Sequence, residues 1–292
     1  MNQIIDLFSH LFVQRMFIAG ILASISCGVI GTLIVVKRVV FLSGGIAHTT
    51  FGGIGLAYYL QYTMNWMWLD PLIGALIFAC LTAVIMSLPL VKSRLREDST
   101  IGVLWVVGMA LGVLFLNWVD RNEIIVQDPE SILFGNILLI HFSDILLMGA
   151  LVVVILAVTS YFFKDFQMLT FDEQYAKISG INVTVLNFIL LLLVACTTVV
   201  LIKVVGVVLV IAMLTIPASI SGLFTKELKH MMIYAVIIGF IINVIGLFLS
   251  LWYNQPPGPT IVLTLGLVFL SALIGKYIIE HIFCKNIKRS AK

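Results

Sequence analysis

Nine long apolar segments, almost free of charged side chains, follow one another along the whole chain. They cover roughly residues 17–36, 43–60, 71–91, 99–118, 143–163, 183–203, 205–225, 231–252 and 259–279. A helix of about 20 mostly apolar residues can cross the hydrocarbon core of a bilayer. The pattern therefore predicts an all-α polytopic membrane protein with about nine transmembrane helices. The Val-Val-Gly sequence at 204–206 leaves open that two segments form one bent helix, which would give eight.

The composition agrees with a chain whose main partner is the lipid bilayer. Apolar residues make up 61% of the 292 residues and charged residues only 11%, against about 25% charged residues in soluble domains. The net charge of +3 is spread between apolar segments, so no nucleic-acid surface is expected. Since no soluble domain or repeat interrupts the pattern, residues 1–292 are predicted to form a single transmembrane domain.

The distribution of basic residues predicts the orientation. Arg15, Arg121 and Lys203 lie on one side of the nine-span arrangement, and the other fourteen of the seventeen Lys and Arg residues lie on the opposite side. Because loops rich in Lys and Arg stay in the cytoplasm, the second side is predicted to be cytoplasmic. The N-terminus is then outside and the C-terminus inside, in a multi-pass protein of the cell membrane.

The chain carries neither a nucleotide-binding motif nor an obvious coupling residue of its own. The P-loop pattern G-x-x-x-x-G-K-[ST] does not occur in the sequence, so ATP hydrolysis is expected on a separate subunit. The predicted spans hold no interior Asp or Glu, and His48 alone is a plausible titrating group within a span. A secondary, proton-coupled carrier that uses His48 is one alternative. A membrane-embedded enzyme is another, although clustered catalytic residues are absent from the spans.

A short polar stretch on the cytoplasmic side, "TFDEQYAKISGINV" at 170–183, is predicted to form a helix too short to span. Thr170 and Glu173 fit a capping box at its start, and Gly180 supplies a left-handed stop at its end. An apolar stripe follows one face of this helix, and the remaining residues flank it. The stripe consists of Phe171, Tyr175 and Ile178. Such a face suits docking into a groove of another protein, or packing against the chain's own helices.

A glycine-rich segment with one histidine, "FLSGGIAHTTFGGIG" at 41–55, lies inside the second span. Glycines without side chains let neighbouring helices approach closely, and these are expected to pack the helices that shape a passage. They are Gly44, Gly45, Gly52, Gly53 and Gly55. The His48 imidazole offers a nitrogen lone pair that suits zinc, manganese or iron. The alternative is a histidine hydrogen-bonded to a neighbouring helix for packing.

Several stretches, in this order, resemble the permease subunits of bacterial ABC importers for divalent metals, the ABC-3 family. They are "VVKRVVFLSGGIAHTTFGGIGLAYYL", "REDSTIGVLW", "LFGNILLI", "FDEQYAKISGINV", "VVGVVLVIAMLTIPASISGLFT" and "PPGPTIVLTL". The resemblance implies a type II ABC-importer-like bundle in the bacterial inner membrane. It also implies a homodimer that works with two cytoplasmic ATPase subunits and an extracytoplasmic metal-binding protein. No permanently bound cofactor is implied, only a transported divalent metal ion.

The resemblance also implies roles for individual residues. The segment around 170–181 would be the coupling helix that contacts the ATPases, with seven residues taking part: Phe171, Asp172, Glu173, Tyr175, Ala176, Ile178 and Gly180. His48 matches the histidine of the family motif Gly-Asp-x-x-x-His, whereas Gly44 stands where that motif has its aspartate. Because hard cations depend more on carboxylate ligands, the loss of this oxygen is expected to favour zinc over manganese.

Overall fold

The computed structural model describes residues 11–88, 97–120, 129–135 and 140–290, and every regular element in these ranges is an α-helix. The all-α prediction is therefore confirmed for the described part of the chain. The helices in chain order are α1 (Leu11–Lys37), α2 (Val40–Met64), α3 (Pro71–Ser87), α4 (Glu97–Asn117), α5 (Pro129–Phe134), α6 (Phe142–Tyr161), α7 (Phe163–Phe171), α8 (Glu173–Ile178), α9 (Val183–Val205), α10 (Val207–Phe224), α11 (Leu228–Tyr253) and α12 (Pro257–Ser290).

Eight of the described helices are long and apolar enough to cross a membrane: α1, α2, α4, α6, α9, α10, α11 and α12. The remaining predicted segment forms α3, whose 17 residues extend only about 25 Å at 1.5 Å per residue. The number of spanning helices is eight because α3 is short, and not because the segments on either side of 204–206 form one bent helix. Gly206 adopts a positive φ of 85°, which ends α9 and starts α10 as a separate helix.

Helix α2 is the most enclosed of the spanning helices, and its glycines explain why. It packs against α3, α4 and α9. A Cβ on Gly53 would lie 2.1 Å from the carbonyl oxygen of Gly74 in α3, and a Cβ on Gly52 would lie 2.7 Å from that of Gly108 in α4. The backbones approach so closely only because no side chain separates them, as expected for small-residue packing of membrane helices.

Replacing Gly53 with valine is expected to lower the stability of the folded protein by about 3 kcal/mol or more, because the added side chain meets backbone atoms on both sides of the contact. Gly149→Ala in α6 is the matched control, since a Cβ there would meet nothing within 4 Å. Thermal unfolding of the two purified variants, followed by size-exclusion chromatography in detergent, measures the difference. A Gly53→Val protein as stable as the Gly149→Ala protein would contradict the packing assignment.

A second group of helices surrounds α1. This helix packs against α10, α11 and α6, and α12 covers α10 and α11. Gly31 of α1 is in contact with the backbone of α10, since a Cβ there would lie 2.0 Å from the carbonyl oxygen of Leu214. Helix α9 joins the two groups, because it packs against α2 and α3 on one side and α10 on the other.

Three glycines from distant parts of the chain meet near the break between α9 and α10. A Cβ on Gly206 would lie 2.3 Å from the amide nitrogen of Gly135, which follows α5, and one on Gly258 would lie 2.4 Å from the carbonyl oxygen of Phe134. Gly135 and Gly206 both have positive φ, 72° and 85°. Conformation and space therefore both require glycine at these two positions.

Candidate metal-transport site

His48 lies about two turns into α2, where it is held by an aromatic ring of α4. Its imidazole stacks on the indole of Trp105, with 4.2 Å between the ring centroids and 11° between the planes. The residue is half-buried, and its Nδ1 atom is buried without a hydrogen-bond partner among the residues that the structure describes. The packing interpretation required a hydrogen bond to a neighbouring helix, and Nδ1 makes none.

The glycines around His48 fall into two classes. Gly45, Gly52 and Gly53 are in tight contact with neighbouring helices, and a Cβ on Gly45 would lie 2.8 Å from Cγ2 of Ile101. Gly44 is different, because a Cβ there would meet only the Trp105 ring, at an ordinary contact distance of 3.6 Å from Cζ3. The backbone therefore has room for a side chain at position 44.

The number of protein ligands near His48 determines how firmly one copy of the chain could hold a metal ion. Among the residues that the structure describes, no group of three or more His, Cys, Asp or Glu side chains could hold a metal ion. A single imidazole is a weak ligand set for a divalent transition metal, because structural sites commonly use four ligands. The arrangement suits brief contact with an ion rather than permanent binding.

The short polar segment that was predicted to be cytoplasmic forms α8, which runs from Glu173 to Ile178. The predicted apolar stripe is largely exposed: Phe171 to 57%, Tyr175 to 59% and Ile178 to 85%. Ala176 is instead fully buried, so it is the residue that packs against the rest of the bundle. The apolar stripe therefore does not pack against the chain's own helices, which favours the docking interpretation over the packing one.

The predicted capping box at the start of this helix is wrong. Thr170 belongs to the preceding helix α7, where its hydroxyl donates to the carbonyl oxygen of Phe166. The cap is Asp172, whose carboxylate accepts hydrogen bonds from the amides of Gln174 and Tyr175 at 2.9 and 3.0 Å. Since Thr170 sits in a continuous turn of α7, its hydroxyl cannot reach the amides of α8.

The predicted stop at Gly180 is confirmed. Gly180 has a φ of 84°, and the amide of Ile181 donates to the carbonyl oxygen of Ala176 at 3.1 Å. This is the bonding pattern of a helix that ends in a left-handed residue. On the polar side of α8, Lys177 and Glu173 form an exposed ion pair at 3.4 Å.

The predicted single helix around 170–181 is wrong, because Phe171 ends α7 and the extended backbone of Asp172 separates it from α8. Of the seven predicted coupling residues, four lie within α8: Glu173, Tyr175, Ala176 and Ile178.

The sequence matches the model of the ABC 3 transport family over residues 9–276. The chain belongs to this family. A relative from Chlamydia trachomatis, named "Probable metal transport system membrane protein", is 35% identical over 275 residues, which cover 93% of this chain and 92% of the relative. A "Manganese transport system membrane protein MntC" from Listeria monocytogenes is 30% identical over 268 residues and 92% of each chain.

A solved structure supports the same assignment. A chain of the structure described as PsaBC from Streptococcus pneumoniae in complex with Fab has a TM-score of 0.79 and 29% identity, and the likeness covers 93% of this chain and 94% of that one. The protein is therefore a membrane subunit for metal transport of the ABC type. Membership of a transport family also excludes the membrane-embedded enzyme considered from the sequence.

Sequence reasoning missed an ion pair in this ABC 3 family member. Lys203 near the end of α9 donates to the carboxylate of Asp144 at the start of α6, at 2.8 Å, and Asp144 also accepts from the amide of His141 at 3.1 Å. The Asp144 side chain is only 9% exposed. Removal of Lys203 would leave this buried carboxylate with His141 alone as its partner, which is costly because the charge of Lys203 is lost. The two residues are 59 positions apart, so only the helix packing shows the pair.

Proposed function

We propose that this chain is the membrane-spanning permease subunit of an ATP-driven importer, which passes a divalent metal ion from an extracytoplasmic binding protein to the cytoplasm. The observation that carries this proposal is the His48 imidazole. It is a nitrogen ligand in the most enclosed helix, and its Nδ1 atom has no protein partner. An unpaired polar group within a span is costly and is usually functional.

The weakness of a single imidazole supports a homodimer. Since one copy offers no ligand cluster in its described residues, a second copy with its own His48 beside the passage would double the nitrogen ligands. The tightly packed glycines of α2 would then shape the wall of this passage, because they keep α3 and α4 close to the histidine. No permanently bound cofactor is needed for this role.

The driving force is proposed to come from two cytoplasmic ATPase subunits that dock on α8. The chain has no P-loop, and the exposed stripe of Phe171, Tyr175 and Ile178 provides the apolar contact. If α8 contacts cytoplasmic ATPases, the N-terminus lies outside the cytoplasm and the C-terminus inside. The membrane is then the inner membrane of a bacterium. The side that carries most of the Lys and Arg residues is then cytoplasmic.

The proposed ion is zinc. Zinc binds well to imidazole nitrogen, whereas manganese prefers carboxylate and other oxygen ligands, which position 44 does not supply. The manganese transport named for the Listeria relative makes manganese the competing ion. A competition experiment between zinc and manganese decides which of the two ions is preferred.

The test is ATP-dependent uptake into proteoliposomes that contain the chain with its ATPase and binding-protein partners. Zinc, manganese and iron are each offered alone and then in competition. The proposal expects uptake that requires ATP and that excess zinc suppresses more strongly than excess manganese. Uptake driven by a proton gradient without ATP would instead indicate the secondary carrier, and preferential uptake of manganese would overturn the zinc assignment.

A further inference from the structure

Trp105 of α4 lies beside two positions of the candidate site, His48 and Gly44. Its indole covers one face of the His48 imidazole, at 4.2 Å between centroids. Among the described residues of other helices, it is also the one that a Cβ built on Gly44 would contact within 4 Å. One side chain of α4 thus touches the ligand and the position where the family motif has its carboxylate.

The stack is fixed by the backbone rather than by the two rings alone. α4 is held against α2 where a Cβ on Gly52 would lie 2.7 Å from the carbonyl oxygen of Gly108, and where one on Gly55 would lie 2.7 Å from that of Gly112. These close backbone contacts set the position of α4 relative to α2, and this places the Trp105 ring over His48. In the structure the imidazole plane lies 11° from the indole plane.

Control of the ring plane matters for metal binding, because the lone pair of the unprotonated ring nitrogen lies in that plane. Metal-binding histidines are usually oriented by a hydrogen bond to the second ring nitrogen. Here Nδ1 is buried and has no such partner. The aromatic stack is the contact in the structure that can take over this orienting task.

The same ring affects which ligands can join the site. A carboxylate at position 44 would extend from a Cβ that already lies 3.6 Å from Trp105 Cζ3, so it would have to share its surroundings with the indole. An apolar ring at this place disfavours a carboxylate in the metal-free site, since a charged oxygen beside the ring loses hydration and has no partner until an ion arrives. Gly44, which has no carboxylate, and Trp105, which disfavours one nearby, therefore both favour a site with nitrogen rather than oxygen ligands.

We propose that Trp105 is a positioning and specificity-determining residue for metal passage. It orients the plane of the His48 imidazole, so that the ion meets a nitrogen ligand. It also lies beside Gly44, where its ring disfavours an oxygen ligand. The inference rests on the proposed function, because it assigns Trp105 a role toward the ion that His48 contacts.

The test compares Trp105→Leu, which removes the stack, with Trp105→Phe, which keeps an aromatic ring above His48. Uptake of radiolabelled zinc and manganese is measured on complexes that copurify with their ATPases. Trp105→Leu is expected to lower zinc uptake about tenfold, the size of effect known for loss of an orienting group, while Trp105→Phe stays within about threefold of the natural chain. Trp118→Leu is the matched control, since Trp118 follows α4 and contacts Tyr59 instead of His48.

The double variant Gly44→Asp/Trp105→Leu tests specificity. It is expected to raise the ratio of manganese to zinc uptake more than either single change, because the new carboxylate then no longer lies against the indole ring and the imidazole is no longer held by the stack. Equal losses for both metals in Trp105→Leu and Trp105→Phe would show a merely structural role and overturn the inference. Normal zinc uptake and normal selectivity in Trp105→Leu would also overturn it. Full uptake by His48→Ala would instead overturn the proposed role of His48 itself.

Discussion

Replacement of His48 by alanine is expected to reduce metal uptake by at least about 100-fold, because a direct ligand should matter more than the outer groups whose loss costs 10- to 100-fold. The variant should still assemble with the ATPases, since the residue is half-buried and Nδ1 forms no hydrogen bond that assembly would need. Uptake of zinc and manganese by assembled complexes in proteoliposomes measures the effect.

The matched control for this loss is His281→Ala. His281 also stacks on an aromatic ring, that of Tyr277 at 13° between planes, but it is exposed near the end of α12. Its removal should leave uptake unchanged. Full transport by an assembled His48→Ala complex would remove His48 from the site.

An oxygen ligand in the same place should change the preferred ion. His48→Asp is expected to recover part of the uptake and to shift the preference toward manganese, because a carboxylate is the harder ligand. Gly44→Asp should act in the same direction, since positions 44 and 48 are one turn apart on the same face of α2. If His48 only packed the helices, His48→Asp would be worse than His48→Ala through its unpaired charge.

Replacement of Tyr175 or Ile178 by aspartate is expected to release the ATPase subunits, with a loss of copurified ATPase of at least about tenfold. A charge on the exposed apolar stripe is solvated in the free permease but would be desolvated in the complex. The fold should survive, because Tyr175 is 59% and Ile178 is 85% exposed. Affinity purification of the permease, followed by quantification of bound ATPase, measures the effect.

Lys177→Gln is the control for charge. It changes the net charge by the same amount as each aspartate variant, but it lies on the polar side of α8 and removes only an exposed ion pair with Glu173, which contributes little to stability. Its complexes should retain the ATPases. Unchanged ATPase recovery and transport in both aspartate variants would show that α8 is not the docking helix.

The sequence predicted the features that depend on short stretches of chain. Apolar length alone identified the spanning helices, and only α3 at 17 residues falls short of a full span. Gly180 was correctly predicted to end the helix, because the left-handed backbone at a helix end favours glycine and depends only on the neighbouring residues. The predicted capping box at Thr170 was wrong, because the cap depends on where α7 ends, and α7 continues through Thr170 with Phe166 and Leu169 buried in the bundle.

The sequence by itself thus determined that this is a helical membrane protein, and it predicted His48 as a candidate metal ligand and Tyr175 and Ile178 as part of an apolar stripe. Only the tertiary structure decided what surrounds these features: Trp105 on His48, Lys203 on Asp144, and the meeting of Gly135 with Gly206. The physical reason is the geometry of packed helices. Which side chains meet across two helices depends on the rotation and offset of each, and these are set by the sum of all close contacts between helices rather than by any one stretch of sequence.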